Sequence, residues 1–135
     1  MLVLDASVVL SGVLPEADSA AAGDILDRVA EQGAQVPALW WLEVANGLLQ
    51  AERRGKIDAP RREAALARLP QLPLTTDARM GRTVWSTVLP LAQAHGLAVY
   101  DAAYLELAAR LRLPLASLDG ALRRAAAAEA VPVLP

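Results

Sequence analysis

Residues 1–10, MLVLDASVVL, open on an apolar run of strand length that ends on an acid, Asp5. A carboxylate in such company is costly to desolvate unless something pairs with it. The same pattern returns three times: in WWLEVANGLL (40–49) around Glu43, in LAVYDAAYLEL (97–107) around Asp101, and in PLASLDGAL (114–122) around Asp119. One cause for all four is a shared metal ion.

Outward from the first strand, SAAAGDILDRVAEQ (19–32) has helical spacing, with Gly33 as a stop signal. QVPAL (35–39) reads as a weak second strand. LWWLEVANGLLQAERR (39–54) is an amphipathic helix closed by Gly55, and PRREAALARL (60–69) begins another with proline in its first turn. LPLTT (72–76) is a third strand. Asp77 to His95 reads as a helix that Pro90 kinks or splits, with Gly96 behind it, and Tyr100 to Leu111 as a further helix. PLASL (114–118) and VPVL (131–134) are the last strands, separated by the helix DGALRRAAAAE (119–129). Strands alternating with helices predict an α/β fold with a parallel sheet, because parallel strands need helical crossovers.

On that map Asp5 and Asp119 close apolar strands, Asp101 opens a helix, and Glu43 lies in the first half of one. Ligands of open α/β sheets bind outside the carboxyl ends of the strands, so distant segments can deliver acids to one cleft. Two ionised carboxylates about 4 Å apart repel by about 4 kcal/mol at an effective dielectric near 20. A divalent cation reverses that sign. With no cysteine and one histidine in the chain, oxygen ligands favour Mg2+ or Mn2+ over zinc.

Composition sets the frame. The 135 residues fit one domain, 1–135, and the absence of cysteine excludes disulfides, thiolate nucleophiles and cysteine-held metals. Neither a leader nor an 18-residue apolar span is expected, which points to a soluble, cytoplasmic protein. A hydrophobic share of 55% hints at apolar surface left for a partner or a second copy. Residues 53–82 carry eight basic side chains against three acids, whereas the remainder is acidic. That basic middle either solvates surface helices or grips a polyanion.

Each acid also has a plainer reading. Asp101 and Asp119 suit helix N-caps. Glu43 resists this, lying inside a helix beside Trp40, Trp41, Leu42 and Val44, with Asn46 and Gln50 on its stripe. Asp5 resists it too, since ASVVL is a poor start for a surface turn. His95, the only histidine, precedes a helix-ending glycine and reads as a C-terminal residue of that helix, not a base. Asp77 resembles an N-cap and Arg123–Arg124 a solvated face. Of Trp40 and Trp41, at least one belongs to packing.

Together LVLDASVVL, WLEVANGL, YDAAYLELA and SLD at 117–119 resemble the acidic signature of PIN-domain nucleases, and most of all the VapC-type toxins of toxin–antitoxin pairs. The resemblance implies a three-layer α/β/α sandwich with a central, mostly parallel sheet. It also implies an Mg2+- or Mn2+-dependent endoribonuclease, normally a homodimer, restrained by a cognate antitoxin. The family's metal-binding acids fall on Asp5, Glu43, Asp101 and Asp119, and Ser7, Asn46 and Ser117 match neighbouring polar positions. Two other classes compete. A haloacid-dehalogenase-like phosphatase needs an aspartate where Ser7 stands, and a receiver domain needs a lysine after a late strand, whereas the only lysine is Lys56. A catalytically inactive PIN-like module binding RNA or protein would tolerate neutralised acids.

Overall fold

The structure, a computed structural model, describes residues 1–15 and 19–134. Five short strands, β1 (Leu2–Leu4), β2 (Ala34–Val36), β3 (Leu74–Thr76), β4 (Leu115–Ala116) and β5 (Val133–Leu134), form one sheet in the order β3-β2-β1-β4-β5. Every pairing is parallel. Helices flank the sheet: α1 (Ala6–Val13), α2 (Ser19–Gln32), α3 (Leu39–Arg53), α4 (Ala59–Arg68), α5 (Met80–Thr83), α6 (Leu89–His95), α7 (Val99–Leu111) and α8 (Gly120–Ala128). This is the α/β fold with a parallel sheet that the alternation of strands and helices predicts, with flanking helices as the family resemblance implies.

The chain builds outward from β1 to β3 in one direction and from β4 to β5 in the other. The reversal therefore falls between β1 and β4, where crossovers on either side leave a crevice at the strands' carboxyl ends. Asp5 follows β1 and Ser117–Asp119 follow β4, so sequence-distant residues meet there. The backbone joins them directly, with Asp5 N–H donating to Ala116 O at 3.0 Å.

Leu2, Val3, Leu4, Val36, Leu115 and Ala116 are fully enclosed, and α7 contributes Tyr104, Leu105, Leu107 and Ala108 to the same core. Almost every side chain of α7 from Ala102 to Ala108 is buried, which is why its sequence looks apolar nearly all round. Gly47 in α3 is a contact position, because a β-carbon there would meet Leu10 of α1 at 2.5 Å. The missing side chain lets α1 lie close against α3, and so brings the segment after Asp5 near the turn carrying Glu43.

Two local features differ from the sequence reading and a third agrees with it. ASVVL, given no element from sequence, folds as the first turns of α1, since the tertiary demand to leave the sheet at Asp5 overrides the strand preference of paired valines. The second strand is Ala34–Val36, shorter and earlier than residues 35–39, because Pro37 has no N–H to continue the ladder. The helix that Pro90 is expected to kink or split is split, into α5, a π-turn at Val84–Val88, and α6 with the proline in its first turn. The wider turn accommodates a residue that lacks an amide donor and crowds the preceding carbonyls.

Candidate active site

The four acids named from sequence are delivered by four elements. Asp5 holds the N-cap position of α1, yet its side chain makes no cap bond. It is 4% exposed. Its Oδ2 accepts two hydroxyl bonds, from Ser7 Oγ at 2.6 Å and from Ser117 Oγ at 2.6 Å. Each hydroxyl in turn accepts a backbone amide of the loop after β4: Leu118 N–H on Ser7 at 3.0 Å, and Asp119 N–H on Ser117 at 3.1 Å. Two amide–hydroxyl relays thus end on one oxygen of Asp5, and the charged acceptor strengthens both. The short spacing from Asp5 to Ser7 and from Ser117 to Asp119 is what makes this possible.

Glu43 projects from α3, where Oε1 accepts the phenol of Tyr104 at 3.1 Å. Tyr104 is wholly buried, and burial first, then the charges of Asp5 and Glu43, push its pKa upward, so it stays a donor. No separate role for this tyrosine was legible in the sequence, although YDAAY carries it at i+3 from Asp101. Asp101 lies in the first turn of α7. Asp119 caps α8, Oδ1 accepting Leu122 N–H at 2.7 Å. For Asp119 the N-cap reading therefore holds, and it leaves Oδ2 for other work.

Electrostatics ties the four together. Burial raises the pKa of Asp5 against the pull of the two serine hydroxyls, and Asp119 adds to the rise. Glu43 is pushed up to about 7, chiefly by burial and further by Asp5 and Asp101, against the Tyr104 bond. Asp101 is raised by burial, then by Asp119 and Asp5. The charges of Asp5, Asp101 and Asp119 thus add to the cost of ionising their neighbours, a cost that a counter-charge would offset.

The donor set suits a hard dication in kind, being all oxygen with no thiolate or imidazole. In position it is open: among the described residues no group of three or more carboxylates or imidazoles stands as a ready cage for an ion. Three of the acids are committed to neighbours, Asp5 to Ser7 and Ser117, Glu43 to Tyr104 and Asp119 to the α8 terminus. Among the supporting polar positions, Ser7 and Ser117 join the acids, whereas Asn46 is exposed one turn beyond Glu43.

The remaining sequence candidates fall elsewhere. His95 ends α6 before Gly96, and its Nε2 lies 2.7 Å from Glu129 Oε1. Asp77 is no N-cap; it takes both Nη groups of Arg110, at 3.3 and 2.7 Å, while Arg110 Nε donates to buried Glu106. Arg123 is likewise no freely solvated charge, since Nη1 donates to Ser117 O and Leu134 O and so ties β4 to β5. Trp40 is buried in the core, and Trp41 is partly exposed with its Nε1–H on Thr76 Oγ1 at 2.9 Å. In the basic stretch Arg61 donates to Val13 O and Arg62 pairs with Glu52, so part of that charge is structural. A cavity of about 420 Å³ between α1, α2 and α4, lined by Val13, Leu26, Asp27, Ala65, Arg68 and Leu72, contains none of the four acids. Among the described residues no helix is long and apolar enough to cross a membrane.

Comparison with known proteins agrees with this fold. The family model of the PIN domain matches residues 2–128. A crystal structure of PAE2754 from Pyrobaculum aerophilum is similar, with a TM-score of 0.67 and 23% identity over 93% of this chain and 87% of that one. A crystal structure of FitAcB from Neisseria gonorrhoeae has a TM-score of 0.68 and 18% identity over 100% of this chain and 97% of that one. At those identities the likeness concerns the fold. No curated protein matches the sequence.

Proposed function

The chain belongs to the PIN-domain family, and on that premise we propose that it is a metal-dependent endoribonuclease, the toxin of a VapC-type toxin–antitoxin pair. PIN domains are in general metal-dependent nucleases, typically with Mg2+ or Mn2+. The observation that carries the reading is the mutual field of Asp5, Glu43, Asp101 and Asp119 at the β1/β4 switch point. Four acids that burden one another with charge make sense where a cation is to be held.

Asp5, Glu43, Asp101 and Asp119 would hold the Mg2+ or Mn2+. Bound there, the ion supplies acidification and in-line orientation of water and shielding of the phosphoryl charge. The protein's own part is positional. Ser7 and Ser117 hold Asp5 Oδ2, which fixes the carboxylate and, through the same hydroxyls, the loop bearing Asp119. Tyr104 holds Glu43 Oε1, leaving Oε2 either to the ion or to the proton of the attacking water, a proton that Asp119 could take instead. Attack by water leaves a 5′-phosphate and a 3′-hydroxyl. The alternative, a histidine drawing on the 2′-hydroxyl, has no support, because His95 is engaged with Glu129 outside the acid group.

RNA is the substrate, a cognate antitoxin the restraining partner, and the cytoplasm the site of action. A homodimer would have Trp85 and Leu89, four residues apart and 87% and 41% exposed, among the apolar side chains available for its face. The test is cleavage of end-labelled RNA with Mn2+, with Mg2+ and with EDTA, beside Asp5→Asn and Asp101→Asn. Metal-dependent cleavage that both substitutions abolish supports the nuclease. Unchanged cleavage by both variants removes it.

A further inference from the structure

Tyr100 is 67% exposed, immediately precedes Asp101, and makes no hydrogen bond through its phenol among the described residues. On α7 it stands four residues before Tyr104. Side chains at i and i+4 share a helix face, one above the other. Tyr104 is the buried member of that pair, and its hydroxyl reaches Glu43. Tyr100 is therefore the next side chain up the same face, one turn above the Tyr104–Glu43 contact and beside Asp101. Tyr100 is thus an exposed aromatic ring beside Asp101, one turn from the residue that holds Glu43.

That ring matters because of what the acids do to an approaching polyanion. Before a cation binds, four carboxylates repel the phosphates that the site must receive. Binding energy at this place has to come from a part of the nucleotide that carries no charge, and every base offers a π-face. In a duplex both faces of each base are covered by neighbouring pairs; in a single strand they are open.

We propose that Tyr100 is a stacking platform for an unpaired RNA base next to the cleaved phosphodiester. The proposal rests on the nuclease reading for its substrate but not on the identity of the metal or the base that accepts the proton. Tyr100 touches the substrate without taking part in bond breaking, so its loss falls on KM and leaves kcat in place. The ring matters and the hydroxyl does not, so phenylalanine serves equally well.

The experiment compares wild type, Tyr100→Ala and Tyr100→Phe on a fluorescein-labelled single strand. Cleavage is followed in Mn2+, and equilibrium binding by anisotropy in EDTA, where nothing is cut. Tyr100→Ala is expected to raise KM, and to weaken EDTA binding, by about 10- to 100-fold, with kcat within about twofold and Mn2+ affinity unchanged; Tyr100→Phe behaves as wild type. Wild type that binds single strands through Tyr100 but cuts none refutes the nuclease and leaves the stacking platform standing. A Tyr100→Ala variant with wild-type KM and binding overturns the proposal. If Tyr100→Ala changes only the oligomeric state, the ring is a contact between protein copies and the proposal falls.

Discussion

Replacing Glu43 by glutamine in the metal-free protein exchanges function for stability, and the structure supplies both sign and size. Glutamine keeps an oxygen to accept the Tyr104 phenol and removes a charge that burial, Asp5 and Asp101 disfavour. The carboxyl's pKa rises from 4.5 to about 7 on folding, so within that interval the folded protein binds a proton that the unfolded chain has released. Stability therefore falls as pH rises through the interval, and the penalty is complete above it. At full strength the rise corresponds to about 3 kcal/mol, but Glu43 is only half-buried and water screens it, which leaves about 1 kcal/mol. For a domain of this size that is about 3–5 °C in melting temperature. Circular-dichroism melts in EDTA should find Glu43→Gln above wild type by that amount near pH 8 and level with it near pH 4.5. Adding Mn2+ should raise wild type more than the variant, because the ion offsets a repulsion that the variant has already lost. A variant that melts at or below wild type near pH 8, or that differs equally at both pH values, refutes the shared acidic field.

Ser117→Ala removes one hydroxyl from Asp5 Oδ2 and leaves the Asp119 amide without its acceptor; urea unfolding should find it about 1.5–3 kcal/mol less stable, as for other hydrogen bonds to charged groups. Tyr104→Phe keeps the buried ring and frees Glu43 from its anchor. Calorimetric titration with Mn2+ should show affinity weakened about tenfold or more with little change in melting temperature. Trp85→Asp places a charge in the most exposed large hydrophobe of the described residues, and light scattering at several concentrations should find monomer where wild type is dimer; a dimer unaffected by the change moves that face elsewhere.

The primary structure alone carried much of the architecture and singled out four candidate acids. Apolar runs of strand length alternating with amphipathic helices leave few solutions but a parallel sheet covered by helices, and Gly33, Gly55 and Gly96 adopt the positive φ that helix-ending glycines supply. The acids stood out as candidates because each interrupts an apolar run, a place where a carboxylate is expensive and so calls for a reason. Local signals failed where long-range packing decided. ASVVL carries no clear helix signal and becomes α1; Asp77 and Arg123, ordinary caps or surface charges by type, are held by Arg110 and by the carbonyls of Ser117 and Leu134.

The approach of Asp5 to the Ser117–Asp119 segment depends on strand order, which no pattern within a segment encodes: β1 lies beside β4 only because the chain reverses its direction of growth there. The relays through Ser7 and Ser117, and the hold of Tyr104 on Glu43, belong to the tertiary structure for the same reason. They join residues 111, 112 and 61 positions apart, and side-chain hydrogen bonds act over about 3 Å, a separation that sequence spacing cannot specify.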